Sequence, residues 1–268
     1  MSLQPCCLSD LRRFGLGLLL LLFLLPLFLL TGPVCKPANA AEVVIGFRLV
    51  PPYVMEAEDG GLHGLEYELV REVLALTGHG MQARILPFSR LIEDFRRGRL
   101  PAFVPANPVM NLSGAFSDVM LVYNNVGLSL QARRVMADRA DSLRGLRIVA
   151  FQNARRLLPG FLDIQERNPD YLEVADQTLQ VRALFAGRAD LIVGERRILQ
   201  VLIRSVQDSA GGVAIREHAL FPPTYYRAVF ADASLRDDFN QALERFKRSG
   251  EYERLLARYD MPVQIATP

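Results

Sequence analysis

The stretch VVIGFRLVPPYVMEAEDGGLHGLEYELVREVLALTGHGMQARI, residues 43–85, carries the pattern that decides the fold. Residues 43–47 form a short apolar run typical of a strand. Leu65 to Leu76 places apolar side chains at helical spacing, so it predicts a helix. Gly78 and Gly80 end that helix, and residues 81–85 alternate apolar and polar side chains as a second strand. The strand, helix, strand order predicts an α/β fold.

The rest of the chain continues this alternation. Further strands are predicted at residues 147–151, 172–174, 189–193, 213–215 and 226–230, and helices at residues 178–185 and 252–259. Ser89 is expected to cap one helix, and Pro159 is expected in the first turn of another. Ser234-Leu235-Arg236-Asp237 predicts a capping box at the start of a late helix.

The first 40 residues have the features of an export signal. Arg12 and Arg13 precede an almost wholly apolar run at residues 14–30, and Ala38-x-Ala40 has the small-residue form of a signal-peptidase site. We expect cleavage after Ala40, a periplasmic location and no stable membrane insertion afterwards. All three cysteines lie in this segment, so the mature chain would have no thiol or disulfide.

Composition excludes several other classes of function. Removal of 40 of the 268 residues leaves 228, with 28 basic and 28 acidic side chains. This neutral balance gives no electrostatic case for nucleic acid as a partner. His63, His79 and His218 lie far apart, so neither a metal site nor a cofactor is expected. No phosphate-binding loop or catalytic set is recognisable, which argues against an enzyme.

Seven short motifs, in order, carry a family resemblance. They are residues 51–53 (PPY), 61–69 (GLHGLEYEL), 87–99 (PFSRLIEDFRRGR), 116–118 (FSD), 142–148 (SLRGLRI), 183–190 (ALFAGRAD) and 240–259. Together they resemble the periplasmic solute-binding proteins of polar amino-acid uptake, solute-binding family 3. That resemblance implies a two-lobed periplasmic-binding-protein type II fold with two crossing hinge strands.

The resemblance also implies a domain organisation and partners. Lobe 1 would comprise residues 41–127 and 222–268, and lobe 2 residues 128–221. The lobes of such a protein close on a small polar, amino-acid-like molecule, and the closed form is presented to an ABC permease. A monomer is expected.

Three candidate contacts of the ligand follow from the resemblance. Tyr53 would lay its ring against the ligand, where its quadrupole also attracts an ammonium group. Phe88 would be either a cleft wall or a core residue. Glu195 would accept hydrogen bonds from an ammonium group, or else would stabilise the start of the next helix.

Gln152 and Asn153 follow the strand at residues 147–151, where the family offers backbone amides to a ligand carboxylate. The usual Gly-Thr pair is missing here. Arg155 and Arg156 follow instead, as an anion site or as a solvated pair.

The largest departure is a missing arginine. Amino-acid binders of this family carry one shortly before the Phe-Ser-Asp element, but residues 101–132 contain neither Lys nor Arg. Asn107, Asn111 and Ser113 are the polar candidates that remain, which puts an α-amino acid ligand in doubt. Pro101 and Pro105 would interrupt a central strand ladder.

Three functions therefore stay open. The first is delivery of a solute to an ABC permease. The second is a sensor or accessory protein of the same fold, with an atypical ligand or none, which the missing arginine favours. The third is a periplasmic dehydratase-like enzyme, for which Glu195 is the candidate acid or base.

Overall fold

The computed structural model describes residues 42–207 and 212–260, so the predicted export signal and its cleavage site lie outside the described residues. Thirteen strands are described: β1 Glu42–Phe47, β2 Met55–Glu56, β3 Leu62–His63, β4 Gly80–Ile85, β5 Ala102–Ala106, β6 Ala115–Phe116, β7 Leu121–Tyr123, β8 Asn125–Leu130, β9 Ile148–Phe151, β10 Tyr171–Val174, β11 Leu191–Glu195, β12 Ile215–His218 and β13 Thr224–Phe230.

Eight α-helices alternate with these strands in the described residues. They are α1 Leu65–Leu76, α2 Phe88–Arg96, α3 Ala154–Leu157, α4 Phe161–Arg167, α5 Thr178–Phe185, α6 Arg196–Gln207, α7 Ala233–Arg248 and α8 Glu251–Arg258. Short 3-10 helices occur at Pro108–Met110, Gln131–Arg133 and Ala140–Leu143. No helix of the described residues is long and apolar enough to cross a bilayer.

The first sheet has the order β4-β1-β5-β13-β6, and β7 also pairs with β13. β1 and β4 run parallel with Ile45 opposite Ala83, as the β1-α1-β4 unit requires. Ile45 and Phe47 are fully buried. Leu65, Leu69 and Val73 of α1 are also buried, and this helix packs on α7 and α8. One hydrophobic core therefore joins the two ends of the described chain.

The second sheet has the order β10-β9-β11-β8-β12. β10, β9 and β11 run parallel, whereas β8 and β12 pair antiparallel. A separate cluster of buried side chains packs α5 and α6 against this sheet, and it includes Val126, Leu128, Val181, Leu184, Ile192 and Leu199. Each sheet thus has its own helices and forms one lobe.

Two chain crossings join the lobes. The chain leaves the first sheet after Tyr123 and enters the second at Asn125, and it returns between His218 and Thr224. The two crossings touch, because Asn125 Nδ2 donates to Thr224 Oγ1 at 3.1 Å. The outward change of sheet lies just ahead of Gly127, the expected exit. The lobe boundaries drawn at residues 127 and 221 stay predictions.

Several expected elements have the predicted bounds and others are displaced. The helices at residues 65–76 and 178–185 are confirmed. The strand expected at residues 213–215 is displaced, because β12 begins only at Ile215. The capping box at Ser234 is wrong: Asp232 precedes α7, and its Oδ1 accepts the Ser234 N–H at 2.8 Å. The Asp232 carboxylate therefore caps the helix by accepting one of its free N–H groups.

Two other helix starts also differ from expectation. α2 begins at Phe88, directly after Pro87, so Ser89 lies inside the first turn and makes no capping hydrogen bond. α4 begins at Phe161 after a left-handed Gly160, so Pro159 precedes the helix rather than occupying its first turn. Both errors concern one or two residues at an element boundary.

The expected interruption of the central ladder is present at β5. Pro105 has no N–H to donate to a neighbouring strand. β5 pairs with β13 through Arg227 opposite Ala106 and Val229 opposite Phe103, with a register shift between the two pairs. The strand loses regular pairing where it leads into the loop at residues 107–114.

Candidate ligand-binding site

The two lobes face each other across a cleft that contains two cavities on either side of Phe88. The first cavity has a volume of about 290 Å³. Its walls come from lobe 1 through Arg48, Leu49, Ile85, Leu86, Pro87 and Phe88, and from lobe 2 through Phe151, Gln152, Ala175 and Gln177. Leu49 and Ile85 are 48% and 36% exposed, so this wall presents free apolar surface.

The second cavity has a volume of about 210 Å³ and shares Phe88 with the first. Lobe 1 contributes Phe88, Ile92, Arg96, Val109, Met110 and Asn111, and lobe 2 contributes Asn153, Arg156 and Leu157. Phe88 itself is only 8% exposed, so it separates the cavities as a nearly buried wall. The first cavity alone lies close to the lower end of the size range of small-molecule pockets, about 300–1,000 Å³.

A depression of about 550 Å³ lies elsewhere, on lobe 1 between α1, α7 and α8. Part of its charged lining is already paired, because Glu68 accepts from Arg258 and from the Tyr259 hydroxyl. Only lobe 1 lines it, so lobe closure would not enclose a molecule there. The cleft is therefore the stronger candidate for a ligand site.

Arg48 follows the end of β1 and reaches into the cleft. Its guanidinium carbon lies 5.2 Å from the centre of the Phe88 ring, a cation–π distance. Among the described residues Arg48 forms no ion pair, and its buried Nε has no hydrogen-bond partner. An arginine held by packing and not by a carboxylate keeps its charge available to the cavity.

Glu66 lies behind this arginine in the first turn of α1 and is 1% exposed. Its Oε2 accepts the Tyr123 hydroxyl at 3.1 Å, whereas Oε1 has no partner in the described residues. Burial raises the pKa of Glu66 to about 7, and the charge of Arg48 acts in the opposite direction. Glu66 therefore titrates near neutrality beside the cleft.

Three tyrosine rings form a buried stack at the crossings between the lobes. Tyr53 and Tyr226 each lie 4.4 Å, centre to centre, from Tyr123. Tyr53 is fully buried, and its hydroxyl has no partner at hydrogen-bond distance in the described residues. Burial, and then the charge of Glu195, raise the pKa of Tyr53 well above its ordinary value. Tyr53 lines neither cavity, so its expected contact with a ligand stays a prediction.

The loop that holds Tyr53 depends on Gly64. The Tyr53 carbonyl accepts the N–H of Glu66 at 2.9 Å, which anchors the loop on the start of α1. Gly64 has a φ of 121°, and a Cβ added there would lie 2.5 Å from the Tyr53 carbonyl oxygen. Only glycine fits this close approach without a backbone shift.

Glu195 ends β11 and is 3% exposed. Its Oε2 accepts the N–H groups of Arg197 at 2.8 Å and Ile198 at 3.0 Å, both in the first turn of α6. Burial raises the pKa of this carboxyl, and the two amides oppose that rise. The structure thus shows the helix-stabilising alternative, while contact with a ligand ammonium group stays a prediction.

Asn107 is buried at the mouth of the loop that lacks the family arginine. Its Oδ1 accepts the Val109 N–H at 3.0 Å, and its Nδ2 donates to the Tyr225 carbonyl at 3.3 Å. Both polar atoms of the Asn107 side chain are therefore used: one hydrogen bond lies within the loop, and the other ties the loop to β13. Arg96 of α2 reaches the same loop, because its Nη2 donates to the Met110 carbonyl at 3.0 Å.

The backbone amides after β9 already hold a carboxylate. Glu173 of β10 accepts the Asn153 N–H at 2.8 Å and the Arg155 N–H at 2.9 Å. The Tyr171 hydroxyl adds a third hydrogen bond at 2.7 Å. The donors expected to hold a ligand carboxylate are thus bound by the protein's own side chain.

Three of the predicted site residues lie at the cavities. Phe88, Gln152 and Asn153 line them, and their expected contact with a ligand stays a prediction. The roles of Arg48, Glu66 and Glu173 were not predicted, and Glu173 gives no local signal, because only the pairing of β9 with β10 brings it to Asn153. In residues 42–207 and 212–260, no group of three His, Cys, Asp or Glu is arranged to hold a metal ion.

Two lobes joined by crossing strands, with cavities lined from both sides, define a bilobed binding protein. The sequence pattern of the bacterial extracellular solute-binding proteins, family 3, matches residues 43–261. The chain belongs to that family. A comparison with curated proteins finds no match.

Solved structures confirm the fold at low sequence identity. A histidine kinase sensor domain with similarity to periplasmic binding proteins has a TM-score of 0.71 and 19% identity, over 82% of this chain and 95% of that chain. An ancestral arginine-binding protein bound to arginine has a TM-score of 0.69 and 16% identity, over 82% and 98%. The substrate-binding protein of an amino acid ABC transporter has a TM-score of 0.65 and 18% identity, over 82% and 99%.

Proposed function

We propose that the protein is an extracytoplasmic receptor whose lobes close on a small molecule and present it to an ABC permease. The observation that carries the proposal is the pair of cavities lined from both lobes, on either side of Phe88. A ligand that contacts both walls stabilises the closed form, because its contacts exist only when the lobes meet. The amino acid ABC transporter component of the same fold supports the transport role.

Ligand-induced stabilisation tests the receptor function directly. The exported protein, expressed with its own N-terminal segment, is melted against amino acids, amines, carboxylates and short peptides. A ligand at about 100 times its dissociation constant should add about 2.7 kcal/mol to the free energy of unfolding. A cooperative transition that no compound raises would contradict the proposal.

Variants locate the site. Gln152 lines the first cavity, whereas Gln200 of α6 lies outside the cleft. Gln152→Ala should weaken binding of any hit, and Gln200→Ala should leave the affinity unchanged. Equal effects of the two substitutions would place the ligand elsewhere.

The proposal includes export and a monomeric state. The chain would be secreted to the periplasm with cleavage after Ala40, so the mature protein would begin at Ala41. Mass spectrometry and N-terminal sequencing of the periplasmic fraction test the cleavage site, and light scattering tests the monomer. A protein that retains residues 1–40 would contradict this part.

A sensor function is the second candidate, in which closure signals to a partner and transports nothing. It is favoured by Glu173, which accepts the N–H groups of Asn153 and Arg155. In transport proteins of the family these amides would hold the carboxylate of the ligand, so their occupation by a side chain of the protein itself favours an atypical ligand or none. The sensor domain of the same fold gives it a structural parallel. Deletion of the gene separates the two: loss of uptake of the radiolabelled hit supports transport, and unchanged uptake with an altered transcriptional response supports the sensor.

A further inference from the structure

The cleft walls carry positive charge only. Arg48 lines the first cavity, and Arg96 and Arg156 line the second. The linings of both cavities include no Asp or Glu among the residues that the structure describes. Where apolar side chains surround a guanidinium group, little water screens its charge, so the group attracts an anion more strongly.

The groups that could hold an ammonium ion are used inside the protein. Glu195 accepts two amides of α6, and Glu66 is buried against Tyr123. Tyr53 is covered by the stacked tyrosine ring of Tyr123 and exposes no surface. A ligand ammonium group entering either cavity would therefore lose its hydration and meet no carboxylate, which is costly.

The anion, in contrast, has one suitable partner in the first cavity. The amides of Asn153 and Arg155 are bound to Glu173, so they do not offer free donors. Arg48 has a buried Nε without a partner in the described residues, and Phe88 packs against its guanidinium face. A planar, already ordered guanidinium can bind a carboxylate with two parallel hydrogen bonds at low entropic cost.

We propose that the cleft takes an organic anion with an apolar body and no ammonium group, and that Arg48 binds its carboxylate while Phe88 and Leu49 cover its body. This proposal rests on the receptor function above and names its ligand class. It also offers a reason why residues 101–132 contain no arginine, since Arg48 supplies a positive charge from the end of the neighbouring strand β1.

Four probes with the same phenyl body test the charge requirement. Phenylacetate is the anion, phenylacetamide the neutral isostere, L-phenylalanine the zwitterion and phenethylamine the cation. Isothermal titration at neutral pH should give the tightest binding for phenylacetate, with an advantage of about tenfold or more over phenylacetamide, as for a charged hydrogen-bonded pair. Hexanoate should also bind, because the body needs to be apolar and not aromatic.

Arg48→Gln should remove most of the advantage of phenylacetate over phenylacetamide, whereas Arg48→Lys should keep part of it. Arg97→Gln is the matched control, because Arg97 pairs with Glu93 at 2.6 Å and lines neither cavity. Thermal melts of each variant verify that it folds. The ratio of the affinities for phenylacetate and phenylacetamide is compared between variants, so a general weakening of the site affects both probes and cancels.

The outcomes separate this inference from the receptor function. Preferred binding of L-phenylalanine or phenethylamine, insensitive to Arg48→Gln, would overturn the inference and leave the receptor function intact. An equal affinity for phenylacetate and phenylacetamide would also overturn it. Failure of every compound in this set and in the wider panel would overturn both.

Discussion

Replacing Glu66 by glutamine should make the protein more resistant to alkaline conditions. Burial raises the pKa of this carboxyl from its ordinary value of 4.5 to about 7. The folded protein therefore keeps a proton that the unfolded chain releases, so the free energy of unfolding falls as pH rises through this window. At about 1.4 kcal/mol per pH unit, the full loss above the folded pKa amounts to about 3 kcal/mol.

Glutamine removes the ionisation but keeps a carbonyl oxygen that can accept the Tyr123 hydroxyl. The stability difference between Glu66→Gln and wild type should thus shift in favour of the variant by up to about 3 kcal/mol between about pH 4 and pH 8. Urea unfolding followed by circular dichroism at several pH values measures it. Glu72→Gln is the control, because Glu72 is an exposed residue of the same helix.

The refuting result is specific. A difference between Glu66→Gln and wild type that stays constant with pH would show that Glu66 has the same pKa in the folded and unfolded chain, and one that favours the variant more towards acid would show that folding lowers its pKa. Burial would then not dominate its titration, and the arrangement of Arg48 and Glu66 beside the cleft would need another account.

Three further substitutions test single contacts. Glu173→Ala should cost about 1–3 kcal/mol of stability, because it leaves two backbone amides without their carboxylate acceptor. Added acetate should bind those amides and restore part of the melting temperature. A variant whose melting temperature does not respond to acetate would contradict an internally filled anion site. Asp232→Ala should destabilise by about 1 kcal/mol through loss of the α7 cap, and Asp232→Asn should recover most of that in urea unfolding. Gly64→Ala should cost more than about 1 kcal/mol, and a melting temperature equal to wild type would show that the Tyr53 loop moves freely.

The sequence predicted the architecture well because the fold depends on periodic patterns. The helix at residues 65–76 has its predicted bounds, since its apolar spacing and the following glycines are local signals. The start of α7 could not be read in the same way. Asp232 and Ser234 are both good capping residues, and the choice between them depends on how the chain leaves β13.

The site was harder to predict because it depends on which polar groups meet across the fold. Glu173 and Asn153 are separated along the chain, and only the parallel pairing of β9 and β10 brings them together. Tyr53 packs against Tyr123 and is fully buried, so its expected contact with a ligand stays a prediction. A sequence shows that Arg48 follows a strand, but not that Phe88 packs on its guanidinium group while no carboxylate of the described residues forms an ion pair with it.

The tyrosine stack at the crossings between the lobes also has an optical consequence. The chain contains no tryptophan, so its near-ultraviolet emission comes from eight tyrosines. Tyr53, Tyr123 and Tyr226 lie together at the crossings, and the carboxyl group of Glu66, which quenches phenol emission when ionised, accepts the Tyr123 hydroxyl. A hinge movement that separates these groups would brighten the protein, so its own fluorescence can follow opening and closing without an attached label.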